Sequence, residues 1–212
     1  LIGRAGADRI RGMDTQQAHG KDFSIAESLR KVRTKRQLEA LFNYLGLRAR
    51  KKLGQNFLVD HNMLRFIVRT AEVGTNDLVL DIGCGTGLLS GHLAEAAGKV
   101  IGIEVDKGLF SICSRYLEDK SNVQLIHGDV LAGKHRLSEQ FLDAVQKEWQ
   151  TGRYAAMKVV SNLPFSIASL VVPNLLESGL PLSLLVVTVQ KEVAERMVAE
   201  PGSRQYAWLS IV

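Results

Sequence analysis

Short apolar runs alternate with amphipathic stretches from residue 60 onward, and this alternation limits the possible folds more than any other feature of the sequence. The apolar runs predict strands over 78–82, 100–104, 123–127, 157–161 and 182–189. The stretches between and around them predict helices over 61–73, 87–97, 107–118, 138–149, 167–177 and 191–199. Strands that alternate with helices form a mostly parallel sheet with helices on both faces. We therefore expect an α/β fold whose ligand lies at the carboxyl ends of the strands.

Positive charge is concentrated near the start of the chain. Residues 1–53 carry 13 Lys and Arg against 5 Asp and Glu, whereas residues 54–212 carry 14 against 17. A basic segment on a mildly acidic body suits a polyanion such as nucleic acid, although a solvated tail has the same composition. The two cysteines suit neither a metal cluster nor a disulfide framework, and no apolar run reaches the ~20 residues of a membrane helix. We expect a cytoplasmic protein with no metal and no membrane contact.

The first 47 residues predict a basic, partly helical extension that precedes a single domain over 48–212. Ser24 with Glu27, and Thr34 with Gln37, have the spacing of capping boxes at helix starts. Apolar residues recur at helical spacing over 38–45, and a glycine at position 46 suits the end of that helix. Most of the stretch 131–153 has no assigned role.

A glycine-rich turn follows the first predicted strand. Asp81 lies near the end of that strand, and Gly83, Gly85 and Gly87 follow it. Glycines at these positions allow a sharp turn and the close approach of a ligand to the backbone. The spacing Gly-x-Gly-x-Gly differs from the Gly-x-Gly-x-x-Gly fingerprint of dinucleotide sites. The turn alone does not separate nucleotide, flavin and nicotinamide ligands.

Acidic residues follow the next two predicted strands. Glu104 can accept hydrogen bonds from both hydroxyls of a ribose, and a carboxylate there disfavours a 2′-phosphate. Asp129, followed by Val130, can accept from the amino group of an adenine. Each carboxylate taken alone also suits a helix cap. Together with the glycine turn they indicate a bound adenosine that carries neither pyrophosphate nor nicotinamide.

The fourth predicted strand leads into Asn162-Leu163-Pro164-Phe165, which narrows the reaction. An amide oxygen and a fixed backbone carbonyl can accept the hydrogens of an aromatic amine and direct its lone pair toward an electrophile. Pro164 stiffens the turn, and Phe165 can stack on a base. A polar turn with a buried phenylalanine is the structural alternative.

These motifs occur in the order found in KsgA-type rRNA adenine dimethyltransferases, which the chain resembles over about residues 48–212. Two further segments carry the resemblance: Gly54-Gln55-Asn56-Phe57-Leu58 and Gln190-Lys191-Glu192-Val193-Ala194-Glu195-Arg196. The family has a Rossmann-like class I methyltransferase fold, and Phe165 stands where it often has tyrosine. It normally continues into a small helical C-terminal domain, which we expect to be missing here.

The resemblance implies S-adenosylmethionine as cofactor and a set of residues that hold it. The implied cofactor-binding residues are Asn56, Leu58, Asp81, Gly83, Gly85, Gly87, Glu104, Asp129, Val130 and Asn162. The implied catalytic residues are Asn162, Leu163, Pro164 and Phe165. The basic run before the first motif is expected to contact RNA phosphates, through Arg48, Arg50, Lys51 and Lys52.

The implied substrate is small-subunit rRNA in a pre-30S particle, where two adjacent adenosines of the 3′-terminal hairpin are dimethylated at N6. Two alternatives stay open: the same chemistry on large-subunit rRNA or DNA, and a non-catalytic RNA-binding assembly factor. A dinucleotide oxidoreductase is a further, more distant one. We expect a monomer.

Overall fold

A parallel sheet of five strands forms the centre of the molecule, as a computed structural model that describes residues 24–47 and 57–211 shows. Its strands are β1 (Asp77–Ile82), β2 (Lys99–Glu104), β3 (Val123–His127), β6 (Ala156–Asn162) and β7 (Leu182–Thr188). The spatial order is β3-β2-β1-β6-β7, and every neighbouring pair is parallel. The strand order therefore reverses between β1 and β6, which is where ligands bind in doubly wound sheets.

Helices precede, connect and follow the strands. They are α1 (Ile25–Lys31), α2 (Lys35–Tyr44), α3 (His61–Thr70), α4 (Leu88–Ala94), α5 (Lys107–Tyr116), α6 (Glu139–Trp149), α7 (Ala168–Leu176) and α8 (Lys191–Met197). A short 3-10 helix covers Trp208–Ser210. The predicted fold class is confirmed, and the strand bounds differ from the prediction by one residue at most.

Two hydrophobic cores lie on opposite faces of the sheet, because neighbouring residues of each strand point to opposite faces. Val79 of β1 packs with residues of α1 to α5 on one face. Leu78 and Leu80 pack with α6 and α7 on the other, around the fully buried Phe141. Since both faces are covered, β1 is buried along its whole length.

The helices α1 and α2 pack into the first of these cores. The predicted capping box at the start of α2 is complete, with both the Thr34 hydroxyl and the Gln37 side chain in place. At the start of α1 the Ser24 hydroxyl accepts from the Glu27 N–H, which is half of the predicted box. Gly46 ends α2 with φ +69°, and the Leu47 N–H donates to the carbonyl of Phe42 at 2.8 Å. Apolar side chains of both helices are buried there: Ile25, Leu29, Leu38, Leu41 and Phe42.

The stretch 131–153 contains two elements. A small antiparallel hairpin joins β4 (Leu131–Gly133) to β5 (Arg136–Leu137), and α6 follows it. Within 24–47 and 57–211, no helix has the length and apolar character needed to cross a membrane.

Candidate active site

A pocket of about 140 Å³ opens at the carboxyl edge of the sheet, beside the β1–β6 switch point. Residues from the ends of four strands or from the turns that follow them line it. Of the predicted site residues, those in its wall are Leu58, Asp81, Gly83, Gly85, Glu104, Asp129, Val130, Asn162 and Pro164. The structure therefore brings together residues from five separate motifs of the sequence.

The glycine turn after β1 is shaped by close neighbours on both sides. Gly83 has φ +70°, and a Cβ at this position would lie 2.8 Å from Cδ of Pro164. Gly87, at φ +84°, caps the N-terminus of α4, where a Cβ would lie 2.8 Å from Sγ of Cys113. Gly83 thus lets the two halves of the site meet across the switch point, whereas Gly87 packs against α5 and does not line the pocket.

Glu104 ends β2 with a side chain that is only 5% exposed. Its two carboxylate oxygens each accept a backbone N–H at 2.8 Å, one from Gly85 and one from Asp106. Burial raises the pKa of this carboxyl, and the two N–H groups oppose that rise. Each oxygen keeps a second lone pair, so the carboxylate is oriented and can still accept from a ligand.

Asp81 is 1% exposed and lies beneath the glycine turn. The Ser90 hydroxyl donates to Asp81 Oδ2 at 2.6 Å. Burial raises the pKa of Asp81 to about 7, and the nearby Glu104 charge adds to the rise. A positive group of a ligand would stabilise the ionised form of this carboxyl.

Asp129 and Val130 form the third part of the wall. The carboxylate of Asp129 is exposed, and Oδ1 accepts from the Leu131 N–H at 2.9 Å. This bond holds the turn into β4, so Asp129 caps a strand entry rather than a helix. Val130 is buried and supplies an apolar surface at the pocket.

The segment after β6 provides the other half of the site. Asn162 pairs in register with Thr188 of β7, whose hydroxyl donates to Asn162 Oδ1. Leu163 is 1% exposed and packs in the core, so only its backbone is placed to meet a ligand. Phe165 is half-buried and does not line the pocket, whereas Pro164 does.

Several residues of the site carry no sequence signal of their own. Ser90 orients Asp81, and Thr188 orients Asn162. Val105, 46% exposed, lines the pocket directly after Glu104. Position relative to a recognised motif could have found Val105, but the two hydroxyl contacts depend on strand order. The predicted residues Asn56, Arg48, Arg50, Lys51 and Lys52 lie outside the described residues.

The arrangement suits a ligand that carries hydroxyl groups and a positive charge. Three carboxylates line the pocket, together with apolar side chains of Leu58, Val105 and Val130. Across the turn stands an amide whose oxygen is held by a hydroxyl. In the ranges 24–47 and 57–211, no cluster of three or more acidic, histidine or cysteine side chains could hold a metal ion.

Fold and site define an α/β domain of the class I methyltransferase type. Residues 46–212 match the family described as "Ribosomal RNA adenine dimethylase". The chain belongs to this family.

Relatives support the assignment over most of the chain. "Ribosomal RNA small subunit methyltransferase A" of Lactiplantibacillus plantarum is 40% identical over 90% of this chain, and that of Moorella thermoacetica is 44% identical over 82%. The alignments cover 60% and 59% of those proteins, so the chain spans about 60% of their length. The crystal structure of a dimethyladenosine transferase from Plasmodium falciparum superposes with a TM-score of 0.53 at 29% identity, covering 72% of this chain and 50% of that one.

Proposed function

We propose that the protein transfers methyl groups from S-adenosylmethionine to N6 of adenine in small-subunit rRNA, at the two adjacent adenosines of the 3′-terminal hairpin. The observation that carries this proposal is the contact between the two halves of the site, where Pro164 packs against Gly83. It brings the Asn162 amide into the wall of the same pocket as the carboxylates that we propose to hold the adenosine. The names of the curated relatives support the choice of substrate.

The pocket residues fit the proposed cofactor. The Glu104 carboxylate is fixed by two backbone donors and suits the ribose hydroxyls. Asp81 is buried and suits the positive amino group, because a cation relieves the cost of ionising a buried carboxyl. Asp129 and Val130 suit the amino group and the ring of an adenine. When bound, S-adenosylmethionine supplies an electrophilic methyl group.

Asn162 and Leu163 would act on the target amine. Its lone pair is delocalised into the adenine ring, so the nitrogen is a weak nucleophile. The Asn162 amide oxygen and the Leu163 carbonyl would each accept one amine hydrogen, which turns the lone pair out of the ring plane. Most of the rate enhancement would come from this positioning. The site then needs no general base, because the amine proton can leave for water after the transfer.

Other residues would bind the RNA substrate. Phe165 would stack on the target base, which must leave its helix to reach the pocket. The basic run Arg48, Arg50, Lys51 and Lys52 would contact phosphates. We further propose that the protein acts as a cytoplasmic monomer on a pre-30S particle.

The test uses the full chain, isotopically labelled S-adenosylmethionine and small ribosomal subunits that lack adenine dimethylation. Digestion and mass analysis of the RNA would locate the label. We expect dimethyladenosine in the 3′-terminal hairpin and none with the Asn162→Ala variant. Label elsewhere in small-subunit rRNA, or transfer only to large-subunit rRNA or DNA, would contradict the proposed substrate. Tight cofactor binding without any transfer would favour the assembly-factor alternative.

A further inference from the structure

A second cleft, of about 220 Å³, lies on the sheet face covered by α1 to α5. Its wall combines residues at the end of α1 with residues of α3, α4 and α5. The polar side chains that carry the argument are Arg30, Arg33, His61, His92, Tyr116 and Lys120. The proposed methyl transfer uses none of them.

Positive charge predominates in this cleft. Arg30, Arg33 and Lys120 are cations, and Glu95 is the carboxylate in the wall. The Glu95 side chain is 65% exposed, and its Oε2 lies 3.9 Å from Nδ1 of His92. Arg30 also pairs with Asp119 at 3.1 Å, so the three cations outnumber the two carboxylates, Glu95 and Asp119, by one.

The wall also contains two histidines, His61 and His92, whose pKa values are lowered. Nδ1 of His61 lies 3.0 Å from Nε2 of His92, so the rings are hydrogen-bonded. Burial lowers the pKa of both histidines. The positive charge of Arg33 lowers each further, and Glu95 opposes this at His92. The imidazoles therefore stay neutral near pH 7. Both ring nitrogens of His61 are engaged by Arg33, Val32 and His92, so a ring N–H for a ligand can come from Nδ1 of His92.

The Arg33 side chain of this cleft is held in place before any ligand arrives. One terminal nitrogen of the Arg33 guanidinium donates to the carbonyls of Arg30 at 2.5 Å and Val32 at 2.9 Å. The same nitrogen lies 2.9 Å from Nε2 of His61. A guanidinium held by its neighbours loses little side-chain entropy when it binds an anion.

Gly91, in α4, leaves room for the Tyr116 side chain at the cleft. Gly91 lies in α4, and a Cβ there would lie 2.9 Å from the ring of Tyr116 and 3.1 Å from its hydroxyl oxygen. Burial raises the pKa of Tyr116, so the hydroxyl keeps its proton and can donate. Fixed cations together with neutral N–H and O–H donors are the groups that bind oxyanions in proteins.

We propose that this cleft binds a phosphate group. Its position favours a phosphate of the RNA strand as the source. His61 follows the pocket residue Leu58 by three positions, and His92 follows the pocket residue Leu88 by four, so one helical turn separates the two sites along α4. The RNA source rests on the proposed function, whereas the phosphate site itself does not.

The test compares Lys120→Gln with Lys147→Gln in the full chain. Both remove one positive charge, but Lys147 lies in α6, on the opposite face of the sheet. Lys120→Gln leaves the hydrogen bonds of Arg33 and His61 in place. Titration calorimetry with inorganic phosphate against chloride at equal ionic strength measures the site. Filter binding of an RNA hairpin over a range of salt concentrations measures the RNA source.

We expect Lys120→Gln to weaken phosphate binding about fivefold and Lys147→Gln to leave it unchanged. We expect the slope of log K against log salt for RNA to fall by about 1 in Lys120→Gln only. A loss confined to inorganic phosphate would support the site and reject RNA as its source. Phosphate binding that is absent from the wild type, or equal in both variants, would overturn the proposal. Neither titration uses a methyl donor, so failure of the proposed methyl transfer is a separate result.

Discussion

The two halves of the site are held in different ways. On the side of β1 and β2, carboxylates are fixed by many local contacts: Glu104 accepts two backbone N–H groups, and Asp81 accepts a buried hydroxyl. On the side of β6 and β7, the Asn162 oxygen accepts a hydrogen bond from a side chain of the neighbouring strand, the Thr188 hydroxyl. A backbone donor is lost only when its residue is replaced by proline, whereas a hydroxyl is removed by a conservative substitution.

The hydrogen bonds of the two halves therefore respond differently to substitution. In the half proposed to hold the cofactor, Asp81 and Glu104 are buried, and Glu104 is anchored to the main chain. In the half proposed to hold the target amine, side chains such as that of Asn162 are partly exposed. Substitutions should therefore separate the two halves, with the acceptor half affecting turnover and the cofactor half affecting affinity.

Asn162→Ala should have the largest effect. Removing the amide oxygen takes away a hydrogen-bond acceptor for the target amine, so we expect kcat to fall about a hundredfold or more. Calorimetric affinity for S-adenosylmethionine should stay within about twofold of the wild type. Asn43→Ala, on the exposed surface of α2, is the matched control. If Asn162→Ala lost cofactor binding, the division of the site into two halves would be wrong.

Glu104→Ala should act mainly on affinity. The variant lacks both acceptor oxygens for the ribose, and a loss of about 2 kcal/mol corresponds to roughly a thirtyfold weaker Kd for S-adenosylmethionine. Single-turnover transfer at saturating cofactor should fall much less. Glu104→Gln keeps the shape of the side chain and one acceptor oxygen. Its Kd for S-adenosylmethionine should therefore lie between those of the wild type and Glu104→Ala. A drop in saturated turnover with unchanged Kd would assign Glu104 to the acceptor half.

Thr188→Val tests the hydrogen bond between β7 and the acceptor half. Valine has nearly the shape of threonine but no hydroxyl, so the Asn162 oxygen loses the hydrogen bond that Thr188 donates. We expect kcat to fall about tenfold with cofactor affinity unchanged. Thr188→Ser keeps the hydroxyl and should restore most of the turnover. Equal activity in the valine and serine variants would show that the hydroxyl does not position Asn162.

Asp81→Asn should change how stability depends on pH. The pKa of Asp81 is raised from its ordinary value of 3.8 to about 7, so the folded chain keeps a proton that the unfolded chain releases between these pH values. The free energy of unfolding therefore falls as the pH rises through that range, and asparagine has no proton to lose.

Chemical denaturation at pH 5 and pH 8, without cofactor, measures the effect. We expect the wild type to lose about 1–3 kcal/mol more than Asp81→Asn between the two pH values. Asp143→Asn, on the exposed surface of α6, is the control. Parallel pH profiles for wild type and Asp81→Asn would indicate that the carboxyl is already ionised when the pocket is empty.

Sequence periodicity was enough to predict the sheet, because each strand is a short run rich in apolar residues with a polar residue or glycine at or directly after its end. The motif positions also led to the pocket, since the carboxyl ends of parallel strands meet at one edge. The hairpin of β4 and β5 was missed, because its two strands are short and lack alternating apolar residues. Side-chain pairs such as Thr188 with Asn162 depend on which strands are neighbours, which local spacing does not give.

The helices α1 and α2 were predicted as helices, but their packing was not. The apolar stripe of α2 showed that one face would be buried without showing against what. In the structure that face joins the same core as Val79 and Val160 of the central sheet. Residues 24–47 thus contribute to the body on which the site is built, and the proposed division at residue 47 stays a prediction.

The ring of Phe42, in α2, packs edge-on against the ring of Phe57, with 5.2 Å between the ring centroids. The Phe57 ring in turn lies against Gly85, where an added Cβ would be 3.7 Å from it. A line of two aromatic rings therefore runs from α2 to the glycine turn of the pocket. The family match begins at residue 46, which lies between Phe42 and Phe57 in the sequence. A shortened chain that starts there would keep every recognised motif and still lose the ring that packs against Phe57, a residue of the pocket wall, so the boundary of the family match is not the boundary of the structure that supports the site.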